Sequence, residues 1–175
     1  MVVVGENLKG LIQASQICSD DLFDEFSIKV NLNRIVFRLN PDKNEPIKYG
    51  AQSVDEYYKE EELTGGDLTL ASGECVLACS AQDINMPLGY IGFVQTKGTL
   101  ARLFVAAQCA DAQIEPGFSG RVTLELMNQS PFDVVIPVGA SIAQIYIMRC
   151  STDNSKPYNG KYQKSGLPTL PLPFN

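Results

Sequence analysis

From Asp67 onward the chain is cut into short runs of β-forming residues, at 68–71, 74–80, 90–96, 101–106, 120–127, 132–136 and 141–148, with Gly, Pro, Asn and Asp between them. Runs this short leave no room for long helices, and strands so regularly interrupted by turn residues pack as a sandwich or close as a barrel. The expected fold class is therefore all-β. Upstream, Ser27 opens a stretch of period two, in which Ile28, Val30 and Leu32 share one face and Ile35, Phe37 and Leu39 share one after a shift of phase. That slip, near Asn33, predicts a bulge or a tight turn. Two segments read as helical. Asn7, Leu8, Leu11 and Ile12 suit a short N-terminal helix ahead of the acidic cluster Asp20, Asp21, Asp24 and Glu25. Ser53-Val54-Asp55-Glu56 has the form of a capping box opening a short charged helix through Leu63. This second helix belongs to residues 40–66, rich in Pro, Lys, Asn, Glu and Gly, which read as a surface insertion within one β domain spanning 1–150. Residues 151–175, rich in Pro, Gly and polar groups, read as an extended or mobile C-terminal arm.

A chain of 175 residues that is 45% apolar is long enough to bury one core. Its net charge of -6 argues against a nucleic-acid partner, because binding a polyanion takes a basic surface. Any phosphate must be met by a few local cations. No apolar run approaches the roughly 18 residues of a spanning helix, and no charged segment leads into an apolar one, so a cytoplasmic protein without a membrane partner is expected. Cys18, Cys75, Cys79, Cys109 and Cys150 are odd in number and set in apolar sequence, which suits buried thiols in a reducing compartment. Histidine is absent. That excludes a Ser-His-Asp triad, a Cys-His dyad and every histidine-ligated metal site. Cys75 and Cys79 share one face of a predicted strand, as two ligands of a Cys-only zinc site would, but no second close pair completes four ligands. Core packing is the competing reading, and zinc is not expected.

Three stretches carry residues suited to chemistry. Lys97, Gly98, Thr99 and Arg102 combine cations, a hydroxyl and a glycine turn, the composition a phosphate site needs and also that of a solvated turn. Pro116-Gly117 and Ser119-Gly120 flank Phe118, the pattern of a tight hairpin that either packs the ring or offers it to a sugar. In RVTLELM, period two places Val122, Leu124 and Leu126 on one face and Arg121, Thr123, Glu125 and Met127 on the other. The Glu125 carboxylate thus points away from the apolar face, either as a solvated charge or as a positioned proton carrier.

In this order, these segments resemble the dCTP deaminase and dUTPase superfamily, and most closely its dCTP deaminase branch. GFVQTKGTLARL, residues 92–103, resembles the Arg-Ser-Ser-Leu-Ala-Arg-Leu phosphate motif, and IEPGFSGRVTLE, residues 114–125, looks like the nucleoside-binding hairpin and catalytic strand. PVGASIAQI, residues 137–145, is similar to a Pro-Gly-x-x-Ile-Ala-Gln-Leu strand, and YNGKYQ, residues 158–163, looks like the Tyr…Lys-Tyr-Gln arm that folds over the triphosphate. The resemblance implies a dUTPase-like distorted β-barrel or jelly-roll-like sandwich with one or two short helices, assembled as a homotrimer with sites between subunits. It implies an enzyme, a hydrolase converting dCTP to dUTP and ammonia without a catalytic metal, with Mg2+ accompanying the nucleotide triphosphate. Glu125 would be the general acid and base, Glu115 would receive the deoxyribose 3′-hydroxyl beside Phe118, and Lys97, Gly98, Thr99, Arg102, Tyr158 and Lys161 would meet the phosphates. Two alternatives stand beside this. One is dUTP hydrolysis to dUMP and pyrophosphate, alone or coupled to deamination, since Glu115 also occupies the place of the dUTPase water-activating carboxylate; the Gly-x-Gly-Gly-Phe-Gly arm of dUTPases is missing. The other is a catalytically silent nucleotide-binding or protein-interaction module, motivated by Lys97-Gly98 standing where the family carries Arg-Ser.

Overall fold

The computed structural model describes residues 1–50, 53–107 and 111–174. Two antiparallel sheets face each other across a shared core. The first has six strands: Gln113–Ile114, Tyr90–Thr96, Ser141–Arg149, Ser27–Asn31 and Phe23–Asp24 in that order, with Val2–Val3 also paired to Ser141–Arg149. The second runs Val105–Ala106, Thr123–Asn128, Cys75–Cys79, Ile35–Leu39 and Tyr58–Glu62. Two small ribbons, Ser119–Gly120 with Ile84–Asn85 and Val134–Pro137 with Asp67–Leu70, close the ends. Alternation along each strand decides what faces inward. Ile28, Val30, Val94, Ile145 and Ile147 come from the first sheet and Val36, Val76, Ala78, Leu124 and Leu126 from the second, and all are buried in one continuous apolar cluster. Each of the larger of these side chains contributes about 1.5–3 kcal/mol by leaving water.

The all-β expectation holds, with two α-helices among the described residues, Gly5–Ser15 and the single turn Gly98–Ala101. The first helix turns Leu8 and Ile12 inward, and Gln16, in left-handed conformation at φ 51°, ends it. The phase slip near Asn33 marks the place where the chain leaves one sheet for the other: Ser27–Asn31 pairs with Ser141–Arg149, whereas Ile35–Leu39 pairs with Cys75–Cys79. Asn33 anchors the step. Its N–H donates to the Cys79 carbonyl at 3.0 Å, and its Oδ1 accepts the Ile35 N–H at 3.0 Å.

Two local expectations are corrected. The capping-box helix through Leu63 does not form; a short 3-10 turn, Asp55–Tyr57, leads into the strand Tyr58–Glu62. The Ser53 hydroxyl donates to the Asp55 carboxylate at 2.7 Å, and Glu56 pairs with Lys43 instead of reaching back to the cap. The next five residues gain ladder hydrogen bonds to Ile35–Leu39, so Tyr58–Glu62 within 40–66 forms an edge strand of the second sheet. Likewise the run at 101–106 yields only the two-residue strand Val105–Ala106, because Gly98–Ala101 is helical and Phe104 turns at φ 59°. All four described cysteines, Cys18, Cys75, Cys79 and Cys150, are free thiols, and among the described residues no three Cys, Asp or Glu side chains converge as a metal site would require. Cys109 lies outside the described residues.

A buried polar hub holds one end of the second sheet. The Asn128 side chain is fully buried; its amide donates to the carbonyls of Leu70 at 3.0 Å, Ala71 at 3.1 Å and Phe132 at 2.8 Å. Its Oδ1 accepts from the Ser130 N–H at 3.0 Å and the Ser130 hydroxyl at 2.8 Å. Asn128→Ala strands several buried groups at once, and the protein should lose on the order of 3 kcal/mol. Equilibrium urea unfolding at fixed protein concentration measures this; an unchanged midpoint would show the hub to be dispensable.

Candidate functional site

The outer face of Thr123–Asn128 is where the alternation turns polar. Thr123 and Glu125 are half-buried there, alternating with the fully buried Leu124 and Leu126. Glu125 stands opposite Leu77 of the neighbouring strand. Above this floor lies a cavity of about 500 Å³ whose walls include Tyr58, Leu77, Asp111, Gln113, Glu115, Phe118, Arg121, Tyr158, Tyr162, Thr169 and Pro171. The hairpin around Phe118 makes one wall. It is tied to the core by the Gly117 N–H on the Met86 carbonyl and the Met86 N–H on the Phe118 carbonyl, both at 2.8 Å. Phe118 is buried, and its ring lies 6.1 Å from that of Tyr158 at 53°.

The C-terminal arm extends the wall from the hairpin, contributing Tyr158, Tyr162, Thr169 and Pro171. Among its described residues there is no helix or strand, yet it is pinned to the hairpin along its length. Tyr158 N–H donates to Pro116 at 2.8 Å, Lys164 N–H to Ser119 at 2.7 Å, and Arg121 N–H to Ser165 at 2.8 Å. Gln163 adds a clamp: its Oε1 accepts the Ser119 N–H at 2.8 Å and its Nε2 donates to the Gly117 carbonyl at 2.9 Å. The hairpin glycines exist for this contact. Gly117 sits at φ 88°, and a Cβ there would come within 2.7 Å of the Pro157 Cα; at Gly120, φ 140°, it would come within 2.9 Å of the Ser165 nitrogen. No other residue lets the arm backbone pass so close.

Burial raises the phenol of Tyr158 above its ordinary value, with Glu115 adding to the effect, and burial does the same to Tyr58. Both remain hydrogen-bond donors through neutral pH. Burial also pushes the Cys79 thiol, beside Arg121, up to about 11.

Of the residues singled out in the sequence, Glu125, Glu115, Phe118 and Tyr158 meet in this cavity. Lys161 lines an adjoining cavity of about 550 Å³, which shares Tyr58, Asp111, Tyr162 and Pro171 with the first. Its ammonium donates to the carbonyls of Leu172 at 3.0 Å and Pro173 at 3.4 Å. Lys97, Gly98, Thr99 and Arg102 line neither cavity. Lys97 faces Asp24 at 3.6 Å, and Arg102 Nη1 folds back to the Gly98 carbonyl at 2.8 Å. Arg121 and Thr123 were signalled by sharing the face of Glu125. Tyr58, Thr169 and Pro171 carried no local signal, because only the folded chain brings them to the cavity.

Two packed antiparallel sheets and a partly open cavity lined by carboxylates and aromatic rings define a β protein with a pocket of a size to take a small polar molecule. The chain belongs to the dCTP deaminase-like family, whose model matches residues 3–150. It is 29% identical over 179 residues to a Mycobacterium ulcerans protein named "dCTP deaminase, dUMP-forming", covering 97% of this chain and 94% of the relative. A protein of the same name from Halobacterium salinarum is 32% identical over 120 residues, covering 66% of this chain and 62% of the relative. The fold is similar to a crystal structure of 2′-deoxycytidine 5′-triphosphate deaminase from Agrobacterium tumefaciens, with a TM-score of 0.63 and 17% identity, over 83% of this chain and 47% of that one. The chain thus spans about half the length of that structure.

If Gln163 is the clamp, Gln163→Ala should expose the arm to trypsin at Lys161 and Lys164 while the β core resists digestion. Mass analysis of the fragments reads this directly. Cleavage no faster than in the parent would mean that the backbone pairing alone holds the arm.

Proposed function

We propose that this protein deaminates dCTP and carries the product through to dUMP, with Glu125 moving the protons, at sites completed by a second copy of the chain. The observation that carries this reading is the convergence of Glu125, Glu115, Phe118 and Tyr158 on one cavity from two separate segments, residues 114–125 and 158–163, each of which resembles a deaminase motif. In the first step water adds to C4 of cytosine, Glu125 takes its proton and passes it to N3, and a second proton goes to the amino group, which leaves as ammonia. One water is consumed and dUTP results. In the second step another water cleaves the bond between the α- and β-phosphates, and pyrophosphate leaves. The relatives' name, dUMP-forming, supports dUMP in preference to the dUTP end product expected from motifs alone. Glu115 accepts the 3′-hydroxyl, Phe118 lies against the sugar, and Mg2+ enters as the counter-ion of the triphosphate substrate.

The assembly part of the proposal rests on charge. Asp111, Glu115 and Glu125 line the cavity with a single cation among its described lining residues. Three carboxylates repel a triphosphate. Lys97, Thr99 and Arg102 stand outside the cavity of their own chain, where they can serve a neighbour's, and a homotrimer gives each cavity one such set. Lys161 reaches phosphate only by releasing the carbonyls of Leu172 and Pro173.

Glu125→Gln keeps the side chain's size and removes proton exchange, so ammonia release from dCTP should fall by about two to four orders of magnitude with affinity little changed. Ammonia and pyrophosphate, assayed separately with dCTP and dUTP, decide among the readings. Ammonia at the parent rate would refute the role of Glu125, and loss of pyrophosphate release alone would point to a dUTP diphosphatase. A parent inactive on both substrates would favour the silent module.

Shared sites make a second expectation. Glu125→Gln and Lys97→Ala proteins, each impaired alone, should regain part of the parent activity when unfolded, mixed and refolded together, because some cavities then combine an intact Glu125 with an intact Lys97. A mixture no more active than its parts, or a parent of monomeric mass in solution that still turns over nucleotide, would refute the sharing.

A further inference from the structure

Arg121 is the only cation among the described residues lining the cavity, against the carboxylates of Asp111, Glu115 and Glu125. It lies four residues before Glu125, just ahead of the strand Thr123–Asn128, and at ~3.3 Å per residue a chain of that length spans at most about 13 Å between the two Cα atoms. That span is on the scale of a nucleoside measured from its base amino group to its 5′ phosphate. The backbone of Arg121 is held on both sides: its N–H donates to the Ser165 carbonyl at 2.8 Å, and Gly120 before it packs against the arm. Its guanidinium is partly buried, with the side chain 30% exposed, and its contact with Asp83 is 3.8 Å, too long for a hydrogen bond. Asp83 itself is largely exposed. The other side-chain partner of Arg121 is the buried Cys79 thiol, a weak hydrogen-bonding group, and neither that contact nor a surface ion pair this loose contributes much to stability. A guanidinium matches the paired oxygens of a phosphate in a way that a lysine ammonium does not.

We propose that Arg121 grips the α-phosphate of the nucleotide whose cytosine meets Glu125, and so makes the site prefer nucleotides to nucleosides. The inference rests on the deaminase reading of the cavity and adds to it a division of labour. The outer phosphates go to Lys97, Thr99 and Arg102 of a neighbouring chain, and the innermost one to a residue just ahead of the strand that carries the proton-moving carboxylate.

Calorimetric titration of the full-length protein with dCMP and with deoxycytidine tests this, since the two ligands differ only in the α-phosphate. Arg121→Ala should weaken dCMP binding by about 10- to 100-fold, the range for a charge-assisted hydrogen bond, and leave deoxycytidine binding unchanged. Arg121→Lys, which keeps the charge and loses the fork, should fall between. Asp83→Asn removes the ion-pair partner and keeps the cation, so dCMP should bind it as it binds the parent. Equal losses on both ligands in Arg121→Ala, no loss on dCMP, or a loss in Asp83→Asn as large as in Arg121→Ala would overturn the proposal. Should Arg121→Ala not fold, Arg121→Lys decides alone, by the difference between its two ligands. A parent that binds dCTP but not dCMP would overturn the α-phosphate contact while leaving the deaminase reading intact. A parent that binds none of the three would overturn both.

Discussion

The strict alternation of Thr123–Asn128 is the constraint on which this molecule turns. Leu124 and Leu126 are fully buried, and the residues that alternate with them, Thr123 and Glu125, are turned by the pleat to the boundary of the cavity. A slip of one residue would drive Glu125 into the apolar core and expose two leucines. Five register pairs to Cys75–Cys79 prevent it, and Asn128 at the strand's end donates to the carbonyls of Leu70, Ala71 and Phe132. The stability of the sheet and the aim of the carboxylate are therefore one property. Core packing holds the strand in place, and the strand presents Glu125.

The second dependence is reciprocal. The hairpin at Phe118 uses Gly117 and Gly120 so that the arm can run within backbone contact, and the arm in return supplies Gln163, whose amide satisfies hairpin groups at Gly117 and Ser119. An element with no regular secondary structure is thus ordered by a neighbour shaped to receive it. Tyr158, placed by this docking, brings a phenol that stays protonated beside Phe118 and Glu115. On the proposed reading the arm acts as one wall of the cavity, so that substrate entry and arm position are coupled.

Charge is distributed with the same economy. An acidic chain with a carboxylate-lined cavity can take a polyphosphate only where cations are concentrated, and most of the candidate cations sit elsewhere on the chain, engaged by Asp24, by the Gly98 carbonyl or by the arm's own carbonyls. Each of these contacts is weak or partly exposed and can be exchanged for a phosphate at small cost. On the proposed reading, a site divided between copies would reconcile an acidic cavity with a basic motif on the neighbouring chain.

The sequence alone determined the β class, most strand positions, and the face that Glu125 occupies, because period two and turn residues are local properties that a linear chain displays. It also singled out Glu115, Phe118 and Tyr158, which the fold gathers with Glu125 into one cavity. It misread Ser53–Leu63 as a helix, since a capping pattern is local whereas the ladder with Ile35–Leu39 that outweighs it joins residues far apart in the chain. Only the tertiary structure decided that the slip at Asn33 is a change of sheet, that Tyr58, Thr169 and Pro171 share a wall with the motif residues, and that Lys97 and Arg102 lie outside the cavity. These are consequences of long-range pairing and packing, in which the partner of a residue is set by the closure of the whole chain and not by its neighbours in sequence.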